Sequence, residues 1–366
     1  MNRRQAFLSL CLTGVGLILI TSCAKNPSLA HQDNLSLRLE QKNLTIMLTD
    51  SGLGGLSVMA DVANVLHKLN AYDSVRLLFV NALFSSEGGY NSLNNSEEKR
   101  RILDSALSRM ETLYRPDLLL IACNTLSIIY PKTSFSSSTQ IPVQGIIDTG
   151  VAMMAEKLKL NPESRILLFG TQTTIQENTH KKMLVSMGFL PDRIITQACP
   201  DLVLYIEKDF DGDETEMLIQ GYVDEALQKT GELVSPLFVC FGCTHYGYAL
   251  DLWQKAFQEL GKDVSGFINP NGGMARLFDR PALRDRFDRT KIEARIISMV
   301  PIPEETVSSL AEWLFLRSPE ISRALRRYEN IPDLFPWKPF VDRHRKLTES
   351  KENLSDDSID DLHEWD

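Results

Sequence analysis

Cysteine is scarce in this chain, 6 in 366 residues, too few and too scattered for a disulfide scaffold. A basic surplus is also missing. Lys and Arg number 39 against 48 Asp and Glu, a net charge of −9, so the whole-chain field repels nucleic acid and argues against it as a partner. Gly and Pro, at 20 and 16, fall short of collagen-like or low-complexity composition. Beyond residue 20 no apolar run is long enough for a membrane span, which excludes a polytopic membrane protein. Neither the dinucleotide fingerprint nor the phosphate-binding P-loop occurs. What remains, 43% hydrophobic and 24% charged residues, suits an enzyme of one large or two medium domains.

The two ends read differently from the middle. Met1-Asn2-Arg3-Arg4 is a short basic segment, and Ala6 to Ile20 is apolar and uncharged, the pattern of a signal peptide over residues 1–22. Ile20-Thr21-Ser22-Cys23 resembles a bacterial lipobox, so Cys23 is expected to carry a lipid and residues 23–42 to act as a tether. This predicts a protein anchored on the periplasmic side of the membrane, with Ala24 after the lipidated cysteine compatible with outer-membrane sorting in a Gram-negative cell. Residues 349–366 hold eight acidic residues and one lysine and read as a solvated acidic tail. Before the tail, the Pro- and aromatic-rich stretch around Ile331–Trp337 predicts an irregular strap over 326–348.

Short apolar runs alternate with helix-period segments from Leu44 onward. Runs at 44–48, 75–80, 118–122, 166–169, 194–196, 238–241, 267–268 and 296–299 read as strands, separated by amphipathic stretches such as 57–69, 97–114, 150–158 and 214–229. That alternation predicts α/β architecture with mainly parallel, doubly wound sheets. Ligands of such sheets bind beyond the carboxyl ends of the strands.

Three strand ends carry chemistry. The first run leads into Asp50-Ser51-Gly52-Leu53-Gly54-Gly55-Leu56-Ser57, the third into Ala122-Cys123-Asn124-Thr125, and another into Gly242-Cys243-Thr244-His245-Tyr246. The second and third ends are alike, and their cysteines lie 120 positions apart, which suggests two similar halves facing each other across a cleft. Two thiols on opposite sides of one carbon could remove a proton from one face and return a proton to the other, a two-base racemisation. A free thiol titrates near ~8.5, so one of them needs a neighbour to relay its proton. Asp50 and His245 stand where they could do so. Ser51, Asn124, Thr125, Thr244 and backbone N–H groups of the glycine turn are donors for a substrate carboxylate. Taken one at a time, these features also admit a core cysteine, half of a metal site at Cys243 and His245, or a disulfide.

Together the three motifs closely resemble the signatures of glutamate racemase, within the aspartate/glutamate racemase superfamily. Pro142–Ile146, Phe169–Thr174 and Cys199–Glu207 extend the likeness in order, from about Leu44 to Ala275. The resemblance implies two α/β domains related by pseudo-twofold symmetry, with half-domain one at 43–140 plus about 262–325 and half-domain two at 141–261. It also implies an active site between them, an amino-acid substrate, and proton transfer without a cofactor or metal. Cys123 and Cys243 match the catalytic cysteines, Asp50 and His245 the groups that assist them, and Ser51, Asn124, Thr125 and Thr244 match substrate-binding positions. Glu207 matches a supporting glutamate, whereas Cys199 and Cys240 fall outside the thiol pair. Homodimers are common in that family.

Two departures stand against this pattern. The family's Pro-Tyr-Gly turn, which helps hold the substrate's distal carboxylate, is absent from Asn81–Asn91, and residues 1–22 read as an export signal. The substrate readings are therefore glutamate first, then aspartate, another amino acid or the substrate of a related isomerase. An amino-acid-binding lipoprotein without turnover is the rival from a different class.

Overall fold

A computed structural model describes residues 34–230 and 236–341. The expected signal peptide, Cys23, tether residues 23–33, strap residues 342–348 and the acidic tail lie outside the described residues; the rest of the expected tether packs on the body, with Leu39 buried and its carbonyl accepting the Tyr72 hydroxyl at 3.1 Å.

Among the described residues ten strands form two sheets, and every pairing is parallel. In chain order they are β1 (Asn43–Asp50), β2 (Ser74–Asn81), β3 (Leu118–Ile121), β4 (Val143–Gly145), β5 (Arg165–Gly170), β6 (Ile194–Ala198), β7 (Leu237–Gly242), β8 (Gly266–Ile268), β9 (Lys291–Ser298) and β10 (Glu329–Asn330). The first sheet runs β10-β9-β2-β1-β3-β4 and the second β6-β5-β7-β8. Helices on both faces explain why β1, β3 and β7 are continuous apolar runs rather than alternating ones: both faces of each strand are buried.

The strand orders disclose the internal symmetry. Without β9 and β10, the first sheet is 2-1-3-4 and the second 6-5-7-8, the same winding repeated four strands later. β3 and β7 are thus equivalent, and each is followed by a cysteine in nearly the same extended backbone: φ −141° and ψ 126° at Cys123, φ −147° and ψ 134° at Cys243. Strand β4 belongs to the first sheet and β8 to the second, so the crossings between sheets fall shortly after residues 145 and 268.

The two sheets share one core. A single cluster of buried side chains joins Ile46 and Leu56 of the first half to Phe169, Phe241 and Trp253 of the second. Trp253 is fully buried, its ring 4.7 Å from Phe169 and 5.4 Å from Phe241. Aromatic contacts of this kind add to area burial. The C-terminal segment returns to the first half, where Leu334 and Phe335 are buried, the Trp337 ring lies 5.2 Å from Phe84, and Ser105 donates to the Pro336 carbonyl at 2.8 Å.

Candidate active site

A parallel sheet leaves its strand carboxyl ends bare of further ladder partners, and the two sheets here turn those ends toward one cavity. Parallel pairing places Asp50 opposite Asn81 and Thr49 opposite Ile121, so the ends of β1 and β3 stand side by side. Pairing of Gly170 with Gly242 does the same for β5 and β7. Asp50, Ser51, Cys123, Asn124, Thr125, Cys243, Thr244 and His245 all line the cavity between them. Those eight residues were expected from the sequence to share a site. Glu207 stands one step behind, against His245. Gly242, Asn91, Thr171 and Val203 complete the wall. The halves can approach so closely because Gly54 has no side chain; a Cβ there would sit 2.8 Å from the His245 backbone nitrogen.

Each cysteine has its own polar surroundings. Cys123 caps the helix Asn124–Ile129, its Sγ accepting the Leu126 N–H at 3.4 Å and lying 3.2 Å from Ser51 Oγ. Asp50 is buried beside it and accepts the Thr244 hydroxyl at 2.8 Å, a hydrogen bond that crosses the cleft. Burial raises the Asp50 carboxyl to about 6, against the pull of His245 and of the hydrogen bonds from Thr244 and Cys123. Burial pushes the Cys123 thiol well up too, with the charge at Asp50 acting in the same direction. A carboxylate raised to this level is ionised at neutral pH and more basic than usual, as a proton acceptor next to a thiol should be.

On the other side, Cys243 Sγ lies 3.7 Å from His245 Nδ1, and His245 Nε2 lies 2.7 Å from Glu207 Oε1. The same Glu207 oxygen accepts the Leu53 N–H at 3.0 Å, tying the second half to the glycine turn of the first. Burial alone would pull His245 toward its neutral form. The hydrogen bonds to Cys243 and Glu207, with the charge of Glu207, outweigh it and hold the imidazole well above its usual range. An imidazolium there is a proton source and counter-charge within reach of Cys243.

All four described cysteines, Cys123, Cys199, Cys240 and Cys243, are free and buried, so no disulfide joins the two cleft thiols. Cys199 and Cys240 pack in the cores and away from the cavity wall. Among the described residues no three His, Cys, Asp or Glu side chains are grouped to hold a metal ion, so the metal half-site reading of Cys243 and His245 finds no partner there.

Three further residues belong to the site and were not singled out from the sequence. Thr171 follows β5 as Ser51 follows β1, and its hydroxyl lies 3.3 Å from Thr125 Oγ1 and 3.0 Å from Thr174 Oγ1. The twofold order of strands is the signal that could have found it. Asn271 donates to the Thr244 carbonyl at 2.8 Å and to Ser57 Oγ at 2.7 Å, holding the Cys243 loop against the first half. His180 is buried and its Nε2 lies 3.0 Å from Asn124 Oδ1; its position on a short helix gives no such hint in the sequence.

The profile of the Asp/Glu/Hydantoin racemase family matches residues 50–261, which hold both cysteine motifs and the glycine turn. The chain belongs to this family. It is 29% identical over 200 residues to a glutamate racemase of a Nitratiruptor species, covering 54% of this chain and 70% of the relative. With a glutamate racemase of Desulforudis audaxviator it shares 26% identity over 245 residues, 66% of this chain and 81% of that one. Among solved structures, the crystal structure of a glutamate racemase isoform from Bacillus anthracis superposes with a TM-score of 0.58 at 23% identity, covering 75% of this chain and 95% of that chain. A glutamate racemase of Francisella tularensis, solved in complex with D-glutamate, gives 0.59 at 19% identity, with 80% and 99% covered. At those identities the structural likeness establishes the fold, an α/β protein with two parallel sheets.

Proposed function

We propose that this protein is a cofactor-independent glutamate racemase working through Cys123 and Cys243. The observation that supports it most is that two thiols at equivalent strand ends face one cavity, each with its own proton-handling partner. In this reading one cysteine, as thiolate, takes the proton from Cα of the amino acid, and the other, as thiol, gives its proton to the opposite face. The first ends as thiol and the second as thiolate, and Asp50 and the His245–Glu207 pair move the protons that restore the starting state. Negative charge spreads onto the α-carboxylate as the Cα proton leaves. Ser51, Asn124, Thr125 and Thr244 supply hydroxyl and amide donors at the cavity wall to meet that charge.

A second acidic amino acid is the competing substrate, and one residue favours keeping it in view. The loop that lacks Pro-Tyr-Gly brings Asn91 to the cavity wall, where its side-chain amide is available to a substrate's distal group. The test is reduced protein in deuterated water with L-glutamate, following loss of the α-proton and formation of the D-enantiomer, then the same for aspartate. Exchange with inversion supports the reading, and a folded, reduced protein that exchanges neither substrate refutes it.

The division into two half-domains, expected at 140 and 262 and moved by the strand order to just after residues 145 and 268, and the placement of the mature protein outside the cytoplasmic membrane through a lipid on Cys23, are parts of the same proposal. The lipobox pattern Ile20–Cys23 supports the anchor. Incorporation of labelled palmitate should be lost in Cys23→Ala, and incorporation that persists would rule the anchor out.

A further inference from the structure

His180 is a buried titratable group for which the proposed proton transfer has no use. It sits on the helix Thr179–Ser186 at 1% exposure, and its one hydrogen-bond contact is Nε2 with Asn124 Oδ1 at 3.0 Å. Two polar atoms around that contact have no partner: Nδ1 of the same ring and Nδ2 of Asn124. Asn124 is the residue after Cys123, at the cavity wall. Its unpartnered amide nitrogen is therefore a buried donor next to the place where substrate would lie.

A ring and an amide in contact can satisfy each other in two ways. With the proton on Nε2, the ring donates to Oδ1 and leaves a bare nitrogen at Nδ1. With the proton on Nδ1 and the amide turned over, Asn124 donates to Nε2 and presents its oxygen to the cavity. The surroundings choose between them. No charged group contributes to the titration of His180, which burial alone lowers to about 4, so the ring is neutral at working pH. Nδ1 has no acceptor within reach, and a buried N–H without an acceptor costs more than a buried lone pair without a donor. The first arrangement is the cheaper one.

Building on the racemase reading above, we infer that His180 is a positioning residue: as the Nε2–H tautomer it holds the amide oxygen of Asn124 toward itself, so that Nδ2 donates into the cavity to the substrate carboxylate. The opposite orientation would set a carbonyl oxygen against a carboxylate. Because the carboxylate gains charge as the Cα proton leaves, a donor fixed in place acts more strongly on the transition state than on bound substrate. His180 would touch neither substrate nor thiol; it works through Asn124.

The test combines a spectrum with a kinetic series. In protein carrying 15N-labelled histidine, the His180 resonance, assigned by its loss in His180→Gln, should show the proton on Nε2. His180→Phe keeps a planar ring without the donor, and kcat/KM for glutamate should fall about tenfold or more, with more of the loss in kcat than in KM. His180→Gln, whose side-chain amide can donate from the same place, should recover activity to within about threefold of wild type. A proton on Nδ1 would overturn the inference, as would a folded His180→Phe with wild-type kinetics. A structural role alone would lower the melting temperature of both variants without separating kcat from KM or distinguishing Phe from Gln. If His180→Phe does not fold, the tautomer and His180→Gln decide. If wild-type protein racemises no amino acid, the functional reading fails on its own, and the tautomer still judges this one.

Discussion

The two cysteines occupy equivalent places in a repeated fold and yet have unlike neighbours. Cys123 follows β3 and lies beside a carboxylate at the end of β1, the strand next to it. Cys243 follows β7 and lies against an imidazole two residues further along its own loop, which in turn contacts a carboxylate from the helix Leu202–Lys208. The place equivalent to Asp50 in the second half is the Gly170–Thr171 end of β5, which carries no ionisable group. The repeated winding supplies matched backbones for two thiols, whereas the titratable groups beside them differ. A reaction with mirror-image substrates would accordingly be run by a site that is symmetric in its sulfurs and asymmetric in its bases.

The largest effects should come from removing one sulfur at a time. Cys123→Ala and Cys243→Ala should each lower racemisation by about 10³-fold or more, since each removes one of two proton carriers. The comparison is sharpened by exchange without inversion. In deuterated water each variant should still exchange the α-proton of one enantiomer through its remaining thiol, and the two variants should prefer opposite enantiomers. Chiral separation with mass spectrometry reads this directly. If both variants favour the same enantiomer, the thiols do not work on opposite faces.

Next in size are the partners. His245→Asn removes the imidazolium beside Cys243 and Asp50→Asn removes the base beside Cys123, and each should cost about 10²-fold in kcat/KM. They should differ in pH dependence. With its carboxyl raised to about 6, Asp50 should give wild-type kcat/KM an acid limb that falls as pH drops through 6. That limb should vanish in Asp50→Asn and persist in His245→Asn. A limb unchanged in Asp50→Asn would mean another group is titrating.

Asp50 also separates stability from activity. Its carboxyl titrates at about 6 in the folded chain against an ordinary value of 3.8, so between those values the folded state holds the proton more firmly. The stabilisation is fully present below pH 3.8 and is lost as pH rises through 6, which leaves the ionised group costing roughly 2–3 kcal/mol at neutral pH. Asp50→Asn, able to accept the Thr244 hydroxyl without the charge, should therefore be the more stable protein at pH 7. Denaturant titrations should show its advantage shrinking toward pH 4. A variant less stable than wild type at pH 7 would show that the hydrogen bonds at Asp50, and not its burial, set the balance.

Much of this was legible in the residues because function sits where local patterns are strong. Each of the eight strands read from apolar runs exists, since buried parallel strands are apolar on both faces. The three motifs converge on one cavity because the strand ends do. What escaped was short or tertiary. Strand β4 is a three-residue, half-buried segment, and β10 is two residues long, too short for periodicity to register. The first five residues of β9, Lys291–Arg295, alternate charged and apolar side chains at the flank of the sheet, and only the apolar end was recognised. Asn271, Thr171 and His180 are tied to the site by contacts 27 to 214 positions away in sequence, which no local pattern encodes.

The smallest effects should lie at the rim of the cleft, where the halves meet through solvated side chains and not through the shared core. Lys99 of the first half donates to Thr173 Oγ1 of the second at 3.2 Å, and Lys132 pairs with Glu177 at 3.6 Å. Both partners of the second contact are exposed, so Coulomb attraction is weakened by water and salt, and Lys132→Ala should change unfolding free energy by no more than about 0.5 kcal/mol. Lys99 is half-buried, and burial lowers its ammonium from the usual lysine range, so Lys99→Ala gives up a hydrogen bond but also relieves a desolvated charge. Its net effect on stability should be of the same small order. If either substitution destabilises the fold as much as Trp253→Ala, for which cavity formation predicts about 3–5 kcal/mol, then the two halves are joined at the rim and not through the aromatic core they share.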